Sequence, residues 1–269
     1  MEDDRLIRVS PRHSVRLARE YVGLIERAPQ NDYVVRTIVR REAQGLPLMS
    51  AELVIAGRET REKYPLAATY PLHFRKTYAA ARLHGDTALE FESQLLASRI
   101  IPVPPPIGFA PDSFRSCLVP GRPYQRLSPF GREPEESNLR AALDLPLAAA
   151  AGLFRLSEEA FRHLRTLHAG GLAHGDAELH NFVVCPSPLE LVLIDFEAAQ
   201  RKDTLDEAAW RARCEADLVP LLREAVFLQC ALGRQEGPLA ELAWEQMAGL
   251  FRAPDRFRRA IDDQSDRSD

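Results

Sequence analysis

The chain has few cysteines, no long apolar run and no excess of basic residues. Its four cysteines are far apart and form no CxxC pair: Cys117, Cys185, Cys214 and Cys230. This spacing suits neither a zinc site nor a disulfide scaffold, so buried, reduced thiols are expected. No stretch reaches the roughly 18 consecutive apolar residues of a membrane span. The N-terminus carries charges where a signal peptide needs an apolar core. We therefore expect a cytoplasmic protein with no membrane span.

The charge balance and the length restrict the class of protein further. The formal net charge is −4 and the pI is near 6.0, so no overall basic field attracts nucleic acid, and no nucleic-acid partner is expected. The chain has 269 residues, of which 45% are hydrophobic and 28% charged. These values are typical of a globular protein with one large domain or two lobes around a shared cleft.

The first half of the sequence is predicted to be rich in strands. Apolar residues at helical spacing predict an amphipathic helix over 14–28. Short β-rich runs follow, separated by polar or proline-containing turns. They cover 33–39, 51–57, 71–78, 107–109 and 115–119. A helix is predicted over 87–98, and the PVPPP run at 102–106 excludes helix because successive prolines lack amide donors.

The second half is predicted to be mostly helical. Helices are expected over 136–154, from Ser157 as N-cap to about 169, over 205–232 and over 237–252. Two small strands, 182–184 and 191–194, are joined by a proline-rich hairpin turn. The polar tail 256–269 is expected to be disordered. The fold class is therefore α+β, and a ligand cleft is expected where the two parts meet.

The segment LAHGDAELHNFVVCPSPLELVLIDFEAA at 172–199 carries the chemistry. Asp176 and Asn181 lie in a loop between a helix and a strand, and Asp195 directly follows a buried strand. Phosphoryl transfer needs a carboxylate beside the acceptor hydroxyl and oxygen ligands that hold Mg²⁺ against the phosphates. Asp176 can supply the first. Asn181 and Asp195 can supply the second, because the hairpin folds their strands side by side.

H-G-D-x-x-x-x-N, followed by a strand, a turn and I-D-F, resembles the catalytic loop and metal motif of the protein-kinase-like superfamily. The HGD form is similar to RIO, lipopolysaccharide-core and aminoglycoside or choline kinases. The resemblance implies ATP and Mg²⁺ as cofactors, Asp176 as catalytic base, and Asn181 and Asp195 as metal ligands. It also implies a bilobal fold with a β-rich N-lobe and a compact, truncated helical C-lobe.

Other positions match the superfamily more loosely. Lys76 at the end of a predicted strand resembles the lysine that contacts the α- and β-phosphates, although neighbouring Arg75 could be the cation. Glu92 on the next helix resembles the ion-pair partner of that lysine, with Glu90 as the alternative. Val119 to Gly121 resembles the hinge that offers backbone groups to adenine. Asp217 matches the aspartate that braces the catalytic loop.

The same resemblance divides the chain into a helical extension (1–30), an N-lobe (31–119), a C-lobe (120–255) and the tail (256–269). Three departures stand out. A glycine-rich phosphate loop is missing, since only AQGLP and AGRETREKY lie between the first strands. Glu178 replaces the Lys or His often found two residues after the base. The metal motif reads DFE and not DFG.

Each residue also has an ordinary interpretation: Asp176 as a turn cap, Lys76 and Glu92 as solvated charges, Asp217 in the first turn of a helix. Three functions stay open. The first is an atypical protein kinase acting on Ser or Thr. The second is a kinase of a small molecule, such as a sugar, lipopolysaccharide core or amino alcohol. The third is a pseudokinase, for which Glu178 and the missing loop argue. The acceptor is therefore a protein or a small-molecule hydroxyl.

Overall fold

The computed structural model describes residues 4–43, 46–79, 87–130 and 135–232. The chain divides into two compact units. The first contains Met1–Tyr124 and Glu159–Val219, and the second contains Gln125–Glu158 and the chain from Pro220 onward. Residues 44–45 of the AQGLP segment, the helix predicted over 237–252 and the tail predicted over 256–269 lie outside the described residues. The predicted lobe boundaries stay a prediction.

The N-terminal segment is a β-hairpin followed by a helix, and not the single helix predicted over 14–28. Its elements are β1 (Arg5–Arg8), β2 (Ser14–Leu17) and α1 (Arg19–Arg27). Val15 and Leu17 alternate with polar residues on β2, whereas Tyr21, Leu24 and Ile25 follow the helical period. All five pack against one core cluster. The helix prediction was wrong for residues 14–18. The strand period of β2 and the helical period of α1 direct apolar side chains to the same core, so the sequence pattern does not separate them.

A five-stranded antiparallel sheet forms the centre of the first unit. Its strands and the helices between them are β3 (Tyr33–Ala43), β4 (Leu46–Ile55), α2 (Arg58–Lys63), α3 (Pro65–Thr69), β5 (Leu72–Tyr78), α4 (Thr87–Ala97), β6 (Pro106–Ala110) and β7 (Ser113–Cys117). The strand order is β3-β4-β5-β7-β6. The predicted strands are confirmed, while the segment predicted as a turn before β5 forms the two short helices.

The rest of the described residues form two small sheets and three α-helices, besides short 3-10 turns. They are β8 (Arg122–Pro123), α5 (Glu135–Asp144), α6 (Leu147–Ala169), β9 (Leu172–Ala173), β10 (Phe182–Pro186), β11 (Leu189–Leu193), β12 (Gln200–Arg201) and α7 (Glu207–Leu232). The hairpin and the long last helix match the predictions. Ser157 does not cap a helix: it is buried within α6. The break lies at Pro146, which has no amide hydrogen for α5 to use.

The helices of the described residues contain no segment long and apolar enough to cross a membrane. The cysteines behave as expected where they are described: Cys117 and Cys185 are buried and free, and Cys214 is free and partly buried. Burial raises the pKa of the Cys185 thiol to about 11, so the protonated thiol is the stable form at neutral pH.

A partly buried cluster of charged residues lies on one face of the sheet. Asp32 forms salt bridges with Arg75 (3.1 Å) and Arg115 (2.7 Å). Arg75 also pairs with Glu52 at 2.6 Å. The Arg115 guanidinium lies 3.0 Å from Nε2 of His73, which is fully buried. Because arginine can only donate, Nε2 of His73 accepts, and the ring is neutral. Arg75, the alternative functional cation, is therefore engaged in this structural cluster.

We expect His73 to make the fold sensitive to acid. Burial, together with the charge of Arg115, lowers the pKa of His73 to about 3. The stability that neutral His73 contributes is fully present above about pH 6.5, the pKa of histidine in the unfolded chain. It is lost progressively as the pH falls towards 3, the pKa in the folded protein. At pH 5 the loss is about 2 kcal/mol. His73→Gln, which keeps an acceptor but does not titrate, should reduce the difference in unfolding free energy between pH 7 and pH 5 by about this amount. Urea titrations at both pH values measure it; an unchanged difference contradicts the assignment.

Candidate active site

Lys76 is the centre of a buried charge cluster. It lies on β5, which pairs with β4 on one side and β7 on the other, and only 3% of the residue is exposed. Its Nζ donates to Glu90 Oε1 at 2.9 Å, to Asp195 Oδ1 at 2.6 Å and to Glu197 Oε2 at 3.0 Å. The sheet thus holds one ammonium group against the metal motif, 119 residues later in the sequence.

The helix partner of Lys76 is Glu90, and the prediction of Glu92 was wrong. Helix α4 buries one face, on which residues recur at spacings of three and four positions. This face includes Thr87, Glu90, Gln94 and Ala97. Glu92 is two positions beyond Glu90, on a different face, and it is exposed. Glu90 was the alternative at the sequence level, and it is only 2% exposed.

Tyr78 and Glu197 belong to the same cluster and were not predicted. Tyr78 is two residues after Lys76 on β5, so both side chains lie on the same face of the sheet. The Tyr78 hydroxyl lies 3.0 Å from Glu90 Oε2 and 3.1 Å from Glu197 Oε2, so its one hydrogen is shared between the two carboxylates. The departure of the metal motif from DFG to DFE was the available signal for Glu197. No sequence motif marks Tyr78.

The charges explain why Lys76 stays protonated. Burial alone would lower the pKa of Lys76, but Glu90 and Asp195 outweigh it and raise the pKa well above the ordinary lysine value. Burial alone would raise the pKa of Asp195, but the charge and hydrogen bond of Lys76 lower it. Burial raises the pKa of Glu90, and Lys76 offsets this only in part. Three carboxylates against one ammonium leave a net charge of −2 when all are ionised.

Asp195 adopts an unusual backbone conformation. Its φ is 69° and its ψ is 70°, in the left-handed region, which costs a non-glycine residue about 1–3 kcal/mol. Asp195 lies two positions beyond the end of β11, and its carboxylate contacts Lys76. Such outliers concentrate at sites where a side chain must be directed against local preference.

The catalytic-loop segment brings Asp176 and Asn181 together. The Asn181 amide nitrogen donates to the Asp176 carbonyl at 2.8 Å and to Asp176 Oδ2 at 3.2 Å. Asn181 is 2% exposed, whereas Asp176 is exposed. Because the amide nitrogen is used by Asp176, the amide oxygen is the atom of Asn181 left to ligate a cation. The other carboxylate oxygen of Asp176, Oδ1, takes no part in these two hydrogen bonds.

The hairpin places Asn181 next to the metal motif, as the sequence predicted. Strands β10 and β11 pair in a register that joins Phe182 with Leu193. One step further, the Ile194 amide donates to the Asn181 carbonyl at 2.9 Å. Asn181 therefore lies beside the residue that precedes Asp195.

Asp217 braces this loop, which confirms its predicted role. It is 2% exposed on α7. Its carboxylate accepts from the His174 amide at 2.8 Å, the Gly175 amide at 2.7 Å and His168 Nε2 at 2.9 Å. His174 is fully buried; its Nε2 donates to the Ile194 carbonyl at 2.9 Å. Burial lowers the pKa of His174, so the ring is neutral and its role is structural.

Glycine is required at position 175 for two reasons, and Gly175→Ala should disrupt the loop. The φ of Gly175 is +83°, and an added Cβ would lie 2.2 Å from the Ala198 carbonyl oxygen. We expect the substitution to lower the unfolding free energy by about 3 kcal/mol, measured by urea denaturation. Gly152→Ala is the matched control: a Cβ added there, within α6, would have no neighbour within 4 Å, and it should raise stability by about 0.5–1 kcal/mol. Equal effects would contradict the constraint.

The predicted hinge forms the link between β7 and β8. The Gly121 amide donates to the Val119 carbonyl at 3.1 Å. Val119 packs against the cluster of Val183, Cys185 and Val192, together with Ile194. An added Cβ at Gly121 would lie 2.5 Å from Val183 and Val184. The link therefore lies on the hairpin that carries the metal motif, and its contact with adenine stays a prediction.

The donor set fits Mg²⁺ held jointly by the protein and a nucleotide. Among the described residues, no group of three or more His, Cys, Asp or Glu side chains forms a ready cation cage. Mg²⁺ is commonly held by one or two carboxylates together with substrate phosphates. Asp195, the amide oxygen of Asn181 and the surplus negative charge around Lys76 match that requirement.

Comparison with known proteins gives structural likenesses only. No protein-family model and no curated protein matches the chain. Two substituted forms of the Mycobacterium tuberculosis PknI kinase domain do match in structure. The match to the first form covers 77% of this chain and 77% of the kinase-domain chain, with 16% identity and a TM-score of 0.44. The other covers 75% and 76%, with 16% identity and a TM-score of 0.45. Likeness at this level says nothing about activity.

The contacts of the chain itself agree with the predicted fold class. A sheet-rich N-terminal part precedes the helices. The central strand carries a lysine paired with a glutamate of the following helix. An aspartate and an asparagine share a loop, and a strand hairpin ends in an aspartate that meets the lysine. The described residues therefore form a fold of the α+β class, and these contacts are the ones that the resemblance to the protein-kinase-like superfamily implies.

Proposed function

We propose that the chain is an ATP- and Mg²⁺-dependent phosphotransferase, an atypical protein kinase that transfers the γ-phosphate to a Ser or Thr hydroxyl. The observation that carries the proposal is the contact of Lys76 with both Glu90 and Asp195, next to the Asp176–Asn181 pair. Glu90 on the neighbouring helix and Asp195 of the metal motif together hold this ammonium group where phosphate oxygens beside Mg²⁺ would lie.

The side chains have separate roles in this proposal. Lys76 binds the α- and β-phosphates, and Glu90 holds its ammonium group in position. Asp195 and the amide oxygen of Asn181 hold Mg²⁺, which neutralises charge on the phosphates when bound. Asp176 is exposed, so an acceptor hydroxyl can reach its Oδ1 and lose a proton there. Asn181 fixes the other oxygen of Asp176. Val119 and Gly121 offer backbone groups to adenine.

A protein acceptor is favoured by the short segment after the metal motif. Only residues 196–206 separate Asp195 from α7. By the resemblance, kinases of the aminoglycoside type build their substrate pocket from large helical insertions after that motif. A small-molecule acceptor is the alternative outcome of the test, as a pocket could be built from other parts of the chain.

A pseudokinase is the second candidate, and Glu197 favours it. Its carboxylate lies 3.0 Å from Lys76 Nζ, where a phosphate oxygen would compete with it. Tyr78 holds the same oxygen of Glu197 at 3.1 Å. In a pseudokinase this contact would persist, and nucleotide would not displace it.

Nucleotide binding should depend strictly on Mg²⁺. The phosphates of free ATP would face Glu90, Asp195 and Glu197, so like charges repel. We expect Mg·ATP to raise the melting temperature of the full chain by several degrees, and ATP with EDTA to leave it unchanged. Labelled phosphate should then appear on casein or on the chain itself. No thermal shift with Mg·ATP contradicts the proposal, and transfer only to small hydroxyl compounds supports the small-molecule alternative.

A further inference from the structure

A cavity of about 430 Å³ lies in the first unit. Three parts of the chain line it: the turn between β1 and β2 (10–13), the connection from α4 to β6 (98–105), and Val119 with Glu190 and Val192. Its volume is within the range of small-molecule sites. None of the residues assigned to the base, the metal or the lysine cluster lines it.

The wall formed by the α4–β6 connection is fixed in place. The carbonyl of Pro102 accepts from the Leu193 amide at 3.1 Å. The carbonyl of Pro104 accepts from the Gln94 side chain at 2.6 Å. Because proline has no amide hydrogen, Pro102, Pro104 and Pro105 contribute apolar surface and no donors to this wall. The cavity is therefore preformed on this side.

His13 supplies a buried donor that lacks an acceptor. The residue is 5% exposed, and its Nε2 has no hydrogen-bond partner among the described residues. The Ser10 hydroxyl oxygen accepts from the amides of Arg12 (3.3 Å) and His13 (3.0 Å). Its own hydrogen can therefore be donated to His13 Nδ1, 3.0 Å away. The ring proton then lies on Nε2, 3.6 Å from Glu190, beyond normal hydrogen-bonding distance.

The charges around the cavity leave one cation unmatched. Arg12 pairs closely with Glu190, so these two neutralise each other. Arg99 also lines the cavity and is exposed, and within the described ranges its guanidinium has no ion-pair partner. One unmatched cation and one unpartnered N–H donor that line the same cavity suit a ligand group with one negative charge. A phosphate monoester, with nearly two charges at pH 7, would be under-neutralised.

We propose that this cavity binds a small organic carboxylate. One carboxylate oxygen accepts from His13 Nε2 and the group pairs with Arg99. The apolar body of the ligand packs against the segment from Ile100 to Pro105. This cavity shares Val119 with the predicted hinge, but the test of carboxylate binding requires no kinase activity.

The probes are benzoate and hexanoate, with the neutral benzamide and hexanamide as isosteric controls and inorganic phosphate as a third anion. Binding to the full chain is measured by ligand-observed NMR titration. We expect the carboxylates to bind at least about tenfold more tightly than the amides, and more tightly than phosphate. Equal affinity of acid and amide, tighter binding of phosphate, or no binding of any probe would overturn the proposal.

Two variants locate the binding. Arg99→Gln, an exposed position at which the fold should tolerate change, should weaken benzoate binding about tenfold. Val103→Trp should fill the cavity and remove binding. Arg211→Gln is the matched control, since Arg211 is exposed on α7 and does not line the cavity. Benzoate binding that Arg99→Gln leaves unchanged, or that Arg211→Gln weakens equally, would show that the cavity is not the site.

Discussion

Replacing Asp176 by alanine should abolish phosphoryl transfer and leave nucleotide binding intact. Asp176 contacts Asn181 and is exposed, and it makes no contact with Lys76. A positioned general base contributes about 10²- to 10⁴-fold to a rate. We therefore expect transfer of labelled γ-phosphate to fall by about 10³-fold. The affinity for Mg·ATP, measured by titration calorimetry, should change less than about threefold.

The control for this experiment is another exposed aspartate. Within the described part of the chain, Asp203 pairs with Arg201, two residues away on the surface, and such pairs contribute little to stability. Asp203→Ala removes the same group and should leave both transfer and binding unchanged. If Asp176→Ala loses nucleotide affinity to the same extent as activity, Asp176 holds the metal or the nucleotide, and its role as base is wrong.

The catalytic loop and the metal motif were predictable because their geometry is local. Asp176 and Asn181 are five residues apart in one loop. A short hairpin then returns the chain to Asp195, and its register follows from the pairing of Phe182 with Leu193. Spacing in the sequence therefore determines which side chains come together. The bracing role of Asp217 required the resemblance as well, since it lies more than 40 positions away from the amides whose hydrogen bonds it accepts.

The partner of Lys76 was not predictable in the same way. Glu90 and Glu92 both lie on α4, and both are near the start of the helix. The rotation of the helix about its own axis decides between them, and this rotation depends on packing against the sheet. The apolar pattern of the helix is weak because Glu90, Ser93 and Gln94 occupy its buried face. Because the site places polar residues on the buried face of α4, the apolar periodicity that would identify this face in the sequence is lost.

The N-terminal hairpin shows a second limit of sequence patterns. Val15 and Leu17 fit a helical pattern together with Tyr21 and Leu24. Every second residue of a strand faces the core, and every third or fourth residue of a helix does, so the two patterns overlap over a short segment. Pairing of β2 with β1 makes the difference: Arg5 lies opposite Leu17 and Ile7 opposite Val15. The strand is thus defined by a partner segment, which local periodicity does not include.

Glu90→Gln and Glu92→Gln should differ strongly, although both remove one charge from the same helix. Glu90 is buried and bonds to Lys76 and Tyr78. The glutamine variant keeps an acceptor but loses the charge, so Lys76 is drawn to Asp195 and Glu197 and away from the phosphates. We expect transfer to fall about 10- to 100-fold, equivalent to about 1.4–2.7 kcal/mol of transition-state free energy. The unfolding free energy should fall by about 1–3 kcal/mol, since two carboxylates still compensate the lysine.

Glu92→Gln removes an exposed charge for which the described chain shows no ion pair. It should change the rate of transfer by less than about twofold and the unfolding free energy by less than about 0.5 kcal/mol. Initial rates with labelled ATP and urea titrations of the two variants measure the contrast. A larger loss in Glu92→Gln than in Glu90→Gln would mean that α4 turns its other face to β5 in the active protein. Equal, small losses in both would mean that the lysine does not hold the nucleotide, because a phosphate contact at Lys76 depends on the charge that Glu90 provides.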